Sequence, residues 1–252
     1  MQLLTEIIRT LPDGEVREVN LGLHWTVVVV ETGGVLRCGL SATLFAPHGH
    51  DQGPDIPAAG HLEYCSGREL AELALSPHPT QASVGVAAIN ALLPRQTHRW
   101  SEDNAEEVIA RQGKGKRVVM VGRFPFVPRL RPRVGELVVL EQDPGPDDLP
   151  AEQAPEILPA AEVIAITGMT LINHTLEGLL SLCSREAFII LLGPSTPLTP
   201  LLFDYGVDII SGAAVTAIEP VLRIVSQGGN FRQVHRAGIR LVNLSKYKSP
   251  QI

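Results

Sequence analysis

Hydrophobic positions change their rhythm about halfway along the chain. Residues 2–11 space their apolar side chains as an amphipathic helix does. Three β-type stretches follow: VREVNLGL (16–23), TVVVVE (26–31) and VLRCGLSAT (35–43). Gly33-Gly34 between the last two predicts a tight hairpin turn, so the three read as a meander. Residues 45–61 are rich in Gly, Pro, His and Asp and read as a loop. Ser66 with Glu69 predicts a capping box before the helix RELAELAL, and Asp103 with Glu106 predicts another. Between them, QASVGVAAINALL (81–93) reads as a helix whose small residues allow close approach of a second backbone. This half has an α+β pattern: meander, then helices.

From residue 117 onward the pattern becomes short apolar runs that begin 19 to 26 residues apart. They are RVVMV (117–121), LVVLE (137–141), VIAIT (163–167), FIILL (188–192) and VDII (207–210). None alternates with polar residues, which is how strands covered on both faces read. Helices are predicted over 174–184 and about 216–227. A third is expected to start at Thr196-Pro197 and stop at Tyr205-Gly206. Strand–helix alternation predicts a parallel, Rossmann-like α/β sheet. Two connections depart from a dinucleotide-binding pattern, because GRFPFVPRLRPRVG (122–135) and DPGPDDLPAEQAPEILPAA (143–161) are too rich in proline for regular helices.

Charge places the joint between the halves. Residues 1–112 carry seven basic and 14 acidic side chains, and residues 113–252 carry 14 and 13. The change falls at Gly113-Lys114-Gly115-Lys116, giving expected domains of 1–112 and 113–252. The overall net charge of -6 argues against nucleic-acid or membrane-surface binding, which needs clustered positive charge. The apolar, uncharged run 187–203 contains three prolines and predicts no membrane span. Three widely spaced cysteines form no disulfide framework. The N-terminal stretch reads as a helix and not as a signal peptide, so a cytoplasmic location is expected.

Candidate chemistry lies after the strands, because open parallel sheets bind ligands at their carboxyl ends. Those ends carry Gly122, Phe124 and Pro125; Glu141; Thr167; Gly193, Pro194, Ser195, Thr196 and Pro197; and Ser211 and Gly212. Glycine lets backbone N–H groups approach a ligand, and hydroxyls donate and accept. Ser195 and Thr196, at the start of the expected helix, would favour an anion. Arg123, Arg129, Arg131 and Arg133 could hold a carboxylate or phosphate, or simply face solvent. The GxGxxG fingerprint is absent, although Glu141 stands 19 residues after Gly122, where a ribose-binding acid is expected. His48, His50, Asp51, His61, Glu63 and Cys65 are chemically competent for a transition metal, but read first as a solvated polar loop.

Three stretches carry a resemblance: SVGVAAINAL (83–92), VVMVGRFP (118–125) and LLGPSTPLTPLLFDYGVDIISG (191–212). They resemble the prokaryotic family described as "putative heavy-metal chelation". The resemblance implies an enolase N-terminal-like domain followed by a Rossmann-like one, with a site in the cleft between them. It implies that Asn90, Gly122, Phe124, Pro125, Gly193, Pro194, Ser195, Thr196, Pro197, Ser211 and Gly212 border that cleft. The leading expectation is a cleft that binds a small anionic or metal-chelating molecule. The alternatives are a transferase or oxidoreductase with an adenosine-containing cofactor, direct metal binding through residues 48–65, and a homo-oligomeric scaffold in which the proline-rich segment covers a partner.

Overall fold

The computed structural model describes residues 1–46 and 54–246. Helix α1 (Gln2–Thr10) buries Leu3, Leu4, Ile7 and Ile8, one stripe of a 3.6-residue period. Strands β1 (Glu15–Leu21), β2 (Trp25–Thr32) and β3 (Val35–Ala42) form an antiparallel sheet in that order. Gly33 and Gly34 take φ of 58° and 74°, as a two-residue hairpin turn requires. β2 is apolar without alternation because the sheet is covered twice. Val28 and Val30 join the main core, while Val27 and Val29 pack with residues of the C-terminal helices.

Helix α2 (Gly67–Glu72) starts at the capping box of Ser66 and Glu69. Asp13 adds a cap from a distant part of the chain, accepting the Arg68 N–H at 3.1 Å and the Gly14 N–H at 2.8 Å. Burial raises the Asp13 pKa, but these hydrogen bonds and the Arg68 charge outweigh it and hold the group below its usual value. A depressed carboxylate stabilises above its unfolded pKa, and that contribution is lost as pH falls through the folded one. Asp13→Ala is therefore expected to cost about 1 kcal/mol at neutral pH. In urea melts the gap to wild type should close in acid.

Helix α3 (Pro79–Leu92) is buried almost all round and lies across β2 and β3. Helix α4 (Ala105–Gln112) is capped by Asn104, whose side chain accepts the Glu106 N–H at 2.8 Å, and not by Asp103. α4 falls on the first side of the joint drawn from charge. Its Ile109 and Ala110 nevertheless pack with Val118, Met120 and Val139 of the second sheet. Apolar burial, which charge counting does not register, decides where this helix sits.

The second sheet has seven strands: β4 (Arg117–Val121), β5 (Glu136–Glu141), β6 (Leu149–Pro150), β7 (Val163–Thr167), β8 (Phe188–Leu192), β9 (Ile209–Val215) and β10 (Ile239–Ser245). Their order is β10-β9-β8-β7-β4-β5-β6, parallel except for β10, which runs antiparallel to β9. The chain thus works outward from β4 to β6, then returns to the other side of β4 at β7. Helices are α5 (Val127–Leu130), α6 (Ala154–Ile157), α7 (Met169–Ile172), α8 (Leu176–Leu182), α9 (Ile218–Ser226) and α10 (Phe231–Gly238). The helix expected over 174–184 is present as α8, shortened to Leu176–Leu182, and His174, a non-glycine residue with φ of 60°, separates it from the short α7. No helix starts at Thr196. Thr199 instead caps a 3-10 helix, Pro200–Tyr205, which Gly206 ends at φ 91°.

The two sheets share one apolar core. Leu4, Val30 and Ile89 belong to the same buried cluster as Val119, Ile164 and Leu191. Polar ties cross the joint: His174 Nε2 meets Ala74 O at 2.8 Å, and Arg95 donates to Val215 O at 2.6 Å. Among the described residues no helix is long and apolar enough to cross a membrane.

Candidate functional site

The carboxyl ends of β4, β7 and β8, with Ser211 inside β9 level with the end of β8, border one cleft of about 560 Å³. Small-molecule sites typically enclose about 300–1,000 Å³. Thr167 and Gly168 follow from β7, Gly193, Pro194 and Ser195 from β8, and Ser211 lies in β9. Phe124, Pro125 and Phe126, with the two rings stacked 5.4 Å apart, form the β4 side. The N-terminal half contributes Trp25 and Ala42. Trp25 leans on Phe231 of α10 at 5.4 Å, and its buried indole N–H has no partner among the described residues.

The polar groups of the cleft are not equally free. The N–H groups of Gly122, Gly168 and Gly193 donate to Leu140, Leu192 and Ser211 carbonyls at 2.9, 2.8 and 3.0 Å. They extend the sheet by one residue and are not spare for an anion. Ser195 is 2% exposed, and its Oγ accepts the Ala42 N–H at 2.9 Å. Thr167 Oγ1 receives only a 3.4 Å contact from the Met169 N–H. The Ser211 hydroxyl makes no hydrogen bond among the described residues and faces the cleft.

The arginines are spent on acceptors within the protein. Arg129 grips buried Glu106 through two bonds of 2.6 and 3.2 Å, and this bonding raises the guanidinium pKa. Arg123 pairs with Asp148, Arg133 with Glu107, and Arg131 donates to Leu137 O. Glu102 and Asp103 also border the cleft, so its wall carries no positive excess.

Phe124, Pro125, Thr167, Gly193, Pro194, Ser195 and Ser211 of the sequence candidates therefore meet in one cleft. Gly122 and Glu141 line a second chamber of about 220 Å³ beside it, and Thr167 lines both. Asn90 and Thr196 border a small cavity of about 20 Å³ with Cys38 and Trp100. The Asn90 amide donates to Leu40 O at 2.9 Å and Ser195 O at 3.4 Å. Gly212 is packed against the Thr196 carbonyl, where a Cβ would lie 2.8 Å away, and Pro197 is buried. Neither lines any of these three cavities. Sequence reasoning missed Trp25, Glu106, Phe231 and Leu241. These come from separate elements and converge only through the fold.

Direct metal ligation does not fit the described side chains. His48, His50 and Asp51 lie outside the described residues. His61 stacks on Tyr64 at 5.8 Å, and Cys65 packs at the edge of the core. No three His, Cys, Asp or Glu side chains gather as a metal site among the described residues. Burial pushes the Cys38 thiol up to about 12, far from the thiolate a metal needs.

Two family profiles, both described as "Putative heavy-metal chelation", match this chain, one over residues 4–93 and one over 104–243. The chain belongs to that family. It is 27% identical over 220 residues to an uncharacterized protein of Methanocaldococcus jannaschii, covering 83% of this chain and 82% of the relative. A crystal structure of a DUF364-family protein of unknown function from Desulfitobacterium hafniense matches with a TM-score of 0.83 at 28% identity, over 97% and 98% of the two chains. A second DUF364-family structure, from Pyrococcus horikoshii, matches at 0.79 and 22% identity over the same shares, which supports the fold alone.

Proposed function

We propose that this protein binds a small organic metal chelator, as its metal complex, in the cleft between a Rossmann-like and an enolase N-terminal-like half. The observation that carries the reading is the 560 Å³ cleft, whose walls mix aromatic rings with a hydroxyl that has no partner among the described residues. The family description concerns heavy-metal chelation, yet the described side chains offer no ligand set. A metal that arrives already complexed reconciles the two. The wall charge favours a neutral or cationic complex over a free anion, since its arginines are neutralised, Glu102 is paired with Arg240 and Asp103 remains. Trp25, Phe124 and Phe231 would cover the apolar body of the chelator, and Ser211 and Thr167 would bond its polar edge. A cytoplasmic location accords with the free cysteines.

Native mass spectrometry of the purified full chain, followed by tryptophan-fluorescence titration with Ni²⁺ and Zn²⁺ as histidine or citrate complexes, tests the reading. Saturable quenching by a complex is expected, with little response to the free ions. Ser211→Phe, which fills the cleft, should abolish it. Equal response to free ions, or binding that survives Ser211→Phe in a folded protein, would overturn the assignment.

A further inference from the structure

We propose that the second chamber is a nucleoside site, built for the base and ribose of an unphosphorylated nucleoside. It goes beyond the chelate reading and does not rest on it. The chamber lies at the carboxyl ends of β4, β5 and β7 and encloses about 220 Å³. It sits where the strand order reverses, between β4 and β7, the place where open parallel sheets take their ligands.

Glu141 ends β5, the strand next to β4, where an acid can accept from both hydroxyls of a ribose. Its Oε2 accepts the Arg123 N–H at 2.7 Å, and its Oε1 accepts the Gln142 N–H at 2.9 Å. A carboxylate has about four acceptor positions, so each oxygen keeps one for a hydroxyl while the backbone fixes its orientation. Beyond the acid, Leu140, Ala151, Ala154 and Leu179 give an apolar lining whose two alanines leave room for a flat base. On the rim, Asn173 Oδ1 is taken by Thr175 Oγ1 at 2.7 Å, and its amide N–H groups remain to meet the edge of a base. The left-handed His174, bonded to Ala74 O, pins that rim.

The same surroundings disfavour phosphate. The single glycine after β4, Gly122, has already spent its N–H on Leu140 O. The next helix, α5, has four residues, too few to present an anion-binding terminus. Arg123 is neutralised by Asp148, and Asp143 and Asp147 follow Glu141 in the adjoining loop. A pyrophosphate here would meet carboxylates where nucleotide sites offer N–H groups.

Isothermal titration of the full chain with adenosine, 2′,3′-dideoxyadenosine, AMP and NAD decides the matter. Adenosine is expected to bind, the dideoxy compound at least tenfold more weakly, and AMP and NAD more weakly than adenosine. Glu141→Gln should weaken adenosine at least tenfold. Ala151→Phe should abolish binding while the melting curve and far-UV spectrum show a folded protein. Chelate binding in the neighbouring cleft should survive Glu141→Gln, so failure of either site is visible separately. No adenosine binding to wild type at millimolar concentration overturns the proposal. So does equal binding of the dideoxy compound, tighter binding of AMP or NAD, or unchanged affinity in Ala151→Phe. Should Glu141→Gln fail to fold, the dideoxy comparison on wild type still decides.

Discussion

Gly85→Ala and Gly39→Ala should each destabilise the protein by about 3 kcal/mol, the upper end of overpacking costs. A methyl on Gly85 would lie 1.8 Å from the Ala74 backbone nitrogen and 2.5 Å from its Cα. A methyl on Gly39 would lie 2.0 Å from Ala87 O and 2.3 Å from Ala91 N. Both obstacles are main chain, which cannot rotate aside as a side chain can. Helix α3 is pressed between β3 below and the Leu73–Leu75 turn above, and these two glycines set the spacing. The sign is informative, because alanine in a helix is intrinsically about 1 kcal/mol better than glycine. Gly178 in α8 supplies the control, since nothing lies within 4 Å of a Cβ placed there. Gly178→Ala should stabilise by a few tenths to about 1 kcal/mol. Urea unfolding midpoints measure all three, and a Gly85→Ala midpoint at or above that of Gly178→Ala would refute the packing account.

The small residues of SVGVAAINAL signalled such an approach before any coordinates, because glycine and alanine have few other reasons to fill a buried helix. The strands of the second sheet were equally legible, since a run such as FIILL, short, without a polar break and followed by Gly-Pro, reads as a strand covered on both faces. The helix after β8 was misplaced for a physical reason. Thr-Pro occurs twice, at 196–197 and 199–200, and local capping chemistry treats the two alike. Contacts distant in sequence separate them: Ser195 is drawn to Ala42, and Thr196 lies against Gly168, where a Cβ would meet its Oγ1 at 2.5 Å. α10 was illegible because only Val234 of FRQVHRAG is buried. β10 was illegible because an antiparallel edge strand lacks the continuous apolar run of its neighbours. The cleft was legible on the strand-end side alone. Trp25 and Phe231 face it from elements some 200 residues apart in the chain, a convergence no local pattern records.

Ser195 and Ser211 look alike in sequence, each a hydroxyl after or near the end of a strand, and the structure gives them opposite roles. Ser195→Ala should destabilise the protein by about 1–3 kcal/mol, the cost of leaving a buried donor unpaired. The Ala42 N–H at the end of β3 would lose its acceptor in a place closed to water, Ser195 being 2% exposed. That bond joins the N-terminal sheet to the turn after β8, so the loss should also loosen the floor of the cleft. Ser211→Ala should change stability by less than about 0.5 kcal/mol, because no group among the described residues depends on its hydroxyl. Its effect should appear in chelate affinity instead, a several-fold weakening without change in the urea midpoint. Guanidinium or urea melts of the two variants, paired with the fluorescence titration, separate a hydroxyl that holds the halves together from one that serves a ligand. Equal midpoints for Ser195→Ala and wild type would show that the Ala42 N–H finds another acceptor and that the joint does not rely on Ser195.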